Sequence, residues 1–359
     1  MSGLTAQIRI ATPLGYPLNI PLRINKMRAM RKVNGIGYFE IEMAAFEYPR
    51  NLFALDRRVE VSIQAAGRAP RLAFIGLMRV YTEKSTISEY TLDYLEEQNY
   101  IYVGGQGQES ARVVRERSDT TAILASPLNR REGFADYTNT TDPAILDAHG
   151  DKTLREKRAK TTLQRDLGGL DSRIYGADWD LGDTLTVAAD VPDTVIIGGP
   201  CWNEYLTRRV VAYKSGTAEA EKTMEADAMM YEYVDENLLN PTDATRTIDA
   251  GLGLAVGVDY AACPSVTHSA TYGNLFSVLE QIAEKSQQAG TQLRFGLAPV
   301  YDGARYIPRF EAKKDRWGIA RGWVLGDGSR NDNMEITGLD IEVDRYGGAT
   351  VIAKTEDTV

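Results

Sequence analysis

The sequence predicts a mainly β protein with one α+β part. Two observations predict it. Runs alternating between apolar and polar residues recur through the first half and again at the end. Between them lies a stretch whose apolar residues recur at helical spacing. The chain has 359 residues, enough for two or three domains. Its 43% hydrophobic content suits globular cores.

Residues 1–86 read as all-β. Ala6 to Ile10, Tyr38 to Met43, Arg58 to Ile63 and Phe74 to Tyr81 each alternate with period two. Turn formers such as Asn34-Gly35 and Gly67 to Pro70 separate them, as in a small barrel or sandwich. Residues 87–191 with 336–359 read as a second β unit. One charged surface helix is expected there, from about Asp151 to Arg165, stopped by Gly168-Gly169. Trp179 to Val187 reads as a tight turn into a strand. The last residues form a hairpin, Ile341 to Tyr346 and Ala349 to Ala353 around Gly347-Gly348.

Residues 192–335 form the α+β part. Thr217 to Leu239 is expected to be helical and to end at Asn240-Pro241. A second helix spans Asn274 to Gln288, with Leu275, Val278, Leu279 and Ile282 as its buried stripe and Gly290 closing it. Gln292 to Phe295 and Tyr306 to Phe310 are expected to be strands packed on these helices.

Bulk properties narrow the function. The net charge is −9, which argues against a surface that wraps nucleic acid. A channel that DNA merely passes through remains compatible with it. No run is long enough for a membrane span, and Met1 to Ile10 lacks the pattern of a signal peptide, so synthesis in the cytosol is expected. Cys201 and Cys263 read as two buried free thiols. The 19 tyrosines suit either strands or faces that become buried on assembly.

No catalytic, cofactor-binding or metal-binding residue stands out. Gly105 and Gly107 match a dinucleotide fingerprint only in part: Ser110 holds the third position, and Ala-Arg-Val-Val-Arg then alternates like a strand. Asn99 to Val114 therefore reads as strand, glycine turn, strand. His149, expected in a loop, and His268, expected at a strand end, stand apart and read as structural. No zinc spacing and no nucleophile elbow occur. Asp178, Asp180 and Asp183 form the densest acidic cluster and read best as turn corners.

Six segments together resemble the siphovirus tail-tip, or baseplate, hub family. They are Gly198 to Val210; Tyr231 to Asn237 with Asn240-Pro241; Tyr272 to Leu275; Tyr102 to Gly107; Asn129 to Asp136; and Asp178 to Asp183. The order departs from the family pattern, because the helical block follows the Tyr-Val-Gly-Gly block here. The joins fall near Thr86, Val191 and Glu335, and either a rearrangement or an insertion produces them.

The resemblance implies two small β-barrels per chain and a structural, non-enzymatic role. It implies a homotrimeric ring around the DNA exit channel, at the tail tip of the virion. Such a ring joins the tail tube, distal tail protein and tape-measure protein to spike or fibre proteins. The resemblance implies no cofactor and no sequence-specific nucleic-acid binding. Two other classes stay open. A tail-associated cell-wall hydrolase would rest on Asp178 and Asp183. A carbohydrate-binding module would rest on Trp202, Trp317 and Trp323.

Overall fold

The computed structural model describes residues 4–45, 48–107, 112–126, 128–165, 180–182, 191–212, 220–248, 250–315 and 334–357. Strands β1 (Leu4–Ala11) and β2 (Pro17–Pro21) form a hairpin, followed by β3 (Lys26–Lys32) and β4 (Tyr38–Ala44). Asn34 turns between the latter two with a left-handed φ of 50°, a conformation asparagine tolerates. Next come β5 (Arg58–Ala65), β6 (Arg71–Leu77), β7 (Val80–Lys84), β8 (Ser88–Asp93), β9 (Tyr100–Gly104) and β10 (Val114–Ser118).

Helix α1 (Thr120–Ala125) starts on Asp119, whose carboxylate accepts the Ala122 N–H. Strand β11 (Glu132–Asp136) leads to α2 (Pro143–Glu156), and β12 (Lys160–Arg165) and β13 (Thr194–Pro200) follow. The rest is β14 (Ala220–Glu225), α3 (Ala226–Val234), β15 (Ala255–Val256), β16 (Ser265–Ala270), α4 (Leu275–Gln288), β17 (Leu293–Tyr301), β18 (Tyr306–Lys314), β19 (Met334–Asp344) and β20 (Ala349–Asp357).

The largest sheet has the order β12-β8-β7-β13-β4-β3-β19-β20. A four-stranded sheet, β2-β1-β5-β6, faces it in a half-barrel arrangement. Their inward residues, among them Ile10, Phe39, Ile41, Val59, Ile197 and Ile341, share one core. The pairing crosses the segment boundaries drawn from the sequence. Strand β13 lies between β4 and β7, and β19 pairs with β3. A second core gathers α3, α4, β17 and β18 around Tyr205, Met230, Tyr233, Leu279 and Phe310. A third and smaller core sets α2 on the sheet β10-β9-β11, through Ile101, Val103 and Leu146. The architecture is mainly β with α+β parts, as expected.

Helix α4, the β17–β18 pair and the C-terminal hairpin stand where the sequence places them. Asn274 caps α4 by accepting the Phe276 N–H, and Gly290 follows it at a φ of +89°. Four expectations are corrected. The helix expected over Asp151 to Arg165 runs instead over Pro143–Glu156. Asp142 caps it and Pro143 opens it, which are stronger start signals than the charge run. Lys160–Arg165 is a strand, because β-branched Thr161 and Thr162 pair with the open edge of β8.

Residues 87–191 also hold a second helix, α1. The helix expected over Thr217 to Leu239 begins only at Ala226, with its last turn widened over Asp235–Leu239. Residues Ala220–Glu225 pair with β16 instead, and the Thr223 and Thr267 hydroxyls meet at 2.8 Å. Phe74 to Tyr81 is two strands in two sheets. The Met78 and Arg79 N–H groups donate to Arg57 and Gly198 carbonyls across that change of sheet.

Candidate functional site

Residues from distant parts of the chain converge on a buried junction of arginines and carboxylates. Asp56 precedes β5, and Arg79 lies in the crossing from β6 to β7. Glu204 and Arg208 come from the tight helical turn Trp202–Thr207 and its end. The turn folds because Trp202, Tyr205 and Leu206 all enter core. Arg208 sets an Nη atom 2.6 Å from an Asp56 oxygen, and Arg79 reaches the same oxygen at 3.3 Å. Arg79 also meets Glu204 at 3.2 Å, and Arg131 ion-pairs with that carboxylate.

A second cluster adjoins the first. Arg246 holds Glu132 with two parallel bonds of 2.9 Å. Arg130 approaches Glu132 at 3.1 Å and Asp243 at 2.6 Å, while its guanidinium lies 4.1 Å over the Tyr100 ring. Arg209 donates to the carbonyls of Arg246, Arg130 and Arg208. The Val210 N–H donates to Glu132 at 3.1 Å.

Six arginines here meet four carboxylates. The excess donors are answered partly by backbone carbonyls, through which Arg131, Arg209 and Arg246 also brace separate segments. Removing charges from water is costly, and the ion pairs and carbonyl bonds of the junction offset part of that cost. Burial raises the Glu204 carboxyl above its usual range against the pull of Arg208 and Arg79. Burial lowers Arg209, with Arg208, Arg130 and Arg246 adding repulsion and Glu132 opposing. Burial likewise raises Glu97. A polar cleft of about 150 Å³, lined by Glu97, Arg131, Glu204, Arg208 and Asn274, opens onto the junction.

This arrangement is mechanical: it locks loops and strands to one another. Among the described residues, no group of three or more His, Cys, Asp or Glu side chains could hold a metal ion. Residues quoted for the resemblance supply Arg130, Arg131, Glu132, Glu204, Arg208 and Arg209. Asp56, Arg79, Asp243 and Arg246 carry no local sequence signal. A usable clue does exist in Leu206-Thr207-Arg208-Arg209-Val210-Val211, where a charged doublet interrupts an apolar run.

The other candidates lie apart from the junction. Asp178, Asp183, Trp317, Trp323 and most of the Trp179 to Val187 turn fall outside the described residues. Asp180 is exposed and accepts the Leu181 N–H. Trp202 is buried, and its indole N–H donates to the Leu297 carbonyl at 3.1 Å. Cys201 and Cys263 are buried and free.

His149 is in α2, not in a loop, and its ring stacks on Tyr137 at 4.4 Å. His268 lies inside β16, with neither ring nitrogen hydrogen-bonded. Gly104 and Val114 begin an antiparallel pairing of β9 with β10, so the glycine segment joins two strands. Residues 108–111 of that segment lie outside the described residues.

Residues 190–325 match the family model of the siphovirus ReqiPepy6 Gp37-like protein. This region is similar to the siphovirus Gp37-like family. The match bears out the likeness to phage tail-hub proteins. Within the Gp37-like region lie Glu204, Arg208, Arg209, Asp243 and Arg246 of the junction, while Asp56, Arg79, Arg130, Arg131 and Glu132 lie outside it.

No curated protein matches the chain. Among solved structures, the E. coli c3393 protein aligns over 98% of this chain and 77% of its own, with 7% identity and a TM-score of 0.42. It is described as a component of the type VI secretion system, structurally similar to the T4 bacteriophage tail proteins gp27 and gp5. Likeness at that TM-score carries no weight for function.

Proposed function

We propose that this phage-tail-type structural protein is the hub of a siphovirus tail tip. Three copies form a ring around the DNA exit channel. The ring joins the tail tube, distal tail protein and tape-measure protein on one side to spike or fibre proteins on the other, and so serves host attachment. The chain acts as a homotrimer by shape and association, and performs no reaction.

The observation that carries this reading is the siphovirus Gp37-like match together with its wiring. The matched region is fastened to the rest of the molecule by buried ion pairs, as a part that transmits force requires. Exposed Tyr260, Tyr301 and Tyr346 add amphipathic surface of the kind that assembly buries. No helix among the described residues is long and apolar enough to cross a membrane.

The test is electron microscopy of virions with labelled antibody, alongside mass measurement of the purified chain. Label at the tail tip and a threefold ring are expected. A chain that stays monomeric and is missing from virions overturns the reading. Clearing of peptidoglycan in a gel by the purified chain overturns the non-enzymatic part.

A further inference from the structure

A cleft of about 220 Å³ lies between β3, β6, β17 and β19, away from the junction. Its walls are apolar: Leu72, Phe74, Trp202, Phe295, Leu297 and Leu339. Two charged side chains, Arg31 and Lys32, break that pattern. Arg31, on β3 opposite Leu339, is partly buried against the cleft. Among the described residues its guanidinium has neither an ion pair nor a hydrogen bond. Burial pushes it below its ordinary value, and Cys201 is the only group that opposes.

Other interior guanidinium groups find acceptors, Arg58 at the Tyr306 carbonyl and four more at carboxylates. Arg79, Arg131, Arg208 and Arg246 all meet carboxylates. A desolvated cation without a partner is costly, and a planar guanidinium fits a carboxylate best. Arg31, unpaired among the described residues, is therefore suited to an incoming anion, and the apolar walls call for apolar groups beside it. Exposed Lys32 at the rim adds charge of the same sign.

The backbone narrows the class further. Two sheet edges border the cleft. The β17 edge is capped by side-chain amides: the Phe295 N–H donates to Asn34 at 2.6 Å, and the Leu297 N–H to Asn203 at 2.8 Å. Strand β6 is last in its sheet, and a single bridge from Gly76 to Cys201 continues it. Its half-buried stretch at Leu72 and Ala73, before Phe74 enters the core, offers an edge to which a strand can add.

We propose that this cleft docks an extended segment of a partner protein, which pairs along β6 and sets a carboxylate side chain on Arg31 among apolar neighbours. Such docking is independent of the tail assignment, and its test uses the isolated full chain.

The probes are two rhodamine-labelled, amidated peptides, Ser-Leu-Glu-Leu-Val-Ser and Ser-Leu-Gln-Leu-Val-Ser, read by fluorescence anisotropy. The glutamate peptide is expected to bind about tenfold more tightly, the effect of one charge-assisted hydrogen bond. Arg31→Gln is expected to erase that preference without lowering the melting temperature, because it removes an unpaired charge. Equal binding of both peptides, no binding at millimolar concentration, or a preference that survives Arg31→Gln overturns the proposal. So does a lower melting temperature in Arg31→Gln, which would reveal an internal partner. Loss of self-association in Arg31→Gln would make a second copy the occupant, and also overturns it.

Discussion

The Arg208 guanidinium lies 2.6 Å from the Asp56 carboxylate although 152 residues separate them, and water reaches neither side chain. A pair this remote in sequence and this dry fastens the Gp37-like region to the N-terminal sheets. Its strength should appear when one charge alone is removed.

Asp56→Asn is the cleanest such change. Asp56 has a left-handed φ of 61°, which asparagine tolerates, so backbone strain is not added. The change leaves Arg208 and Arg79 without their shared carboxylate. Stability in urea is expected to fall by about 3 kcal/mol or more. A loss under about 1 kcal/mol would show a surface-like pair and contradict the locked junction.

Asp243 makes the acid limb of the stability profile testable. Burial alone would raise its carboxyl, but Thr245 and Arg130 hold it down at about 2. Its folded value is thus depressed below the unfolded value of about 3.9. That contribution is present above about pH 4 and is lost as pH falls toward 2. The side chain is 51% exposed, so screening reduces the effect to roughly 1 kcal/mol. Wild type should lose that much more than Asp243→Asn between pH 5 and pH 2.5. Parallel losses would contradict the assignment.

His268 titrates in the opposite part of the range. Burial lowers its folded value, with Lys285 adding repulsion. Protonation therefore favours the unfolded chain. Stability is complete above about pH 6.5 and declines as pH falls below it. Neither ring nitrogen has a partner to be lost, so His268→Leu should flatten that decline while keeping neutral stability. An unchanged pH slope in thermal melts would count against this.

Legibility in the sequence followed distance along the chain. Arg58 to Ile63 and Ile341 to Tyr346 announce strands because alternation is local, and the stripe of α4 is local too. The 151–165 and 217–239 segments mislead because charge and helical spacing carry no trace of the strand edges of β8 and β16, which the fold supplies. The junction is half legible. Arg130-Arg131-Glu132 and Arg208-Arg209 stand out as motifs, but nothing near Asp56 or Arg246 tells which charges they will meet. Arg31 looks like any strand arginine until the cleft forms around it.

Two glycines allow a controlled test of the turn between β3 and β4. A Cβ on Gly37 would come 1.8 Å from the Met30 carbonyl oxygen and 2.8 Å from its carbon. Backbone cannot give way by that much, and the Gly37 N–H and carbonyl also hold Cys201 from both sides. Gly67 is the contrast: its φ is +71°, and nothing lies within 4 Å of an added Cβ. Gly67→Ala should therefore cost only the left-handed backbone penalty, about 1 kcal/mol. Gly37→Ala should cost several-fold more, because it must push β3 and β4 apart where Ile41 and Phe39 enter the shared core. Urea denaturation of both variants separates the two causes. Equal losses would mean that the close approach of Gly37 to Met30 does not hold the β3–β4 register.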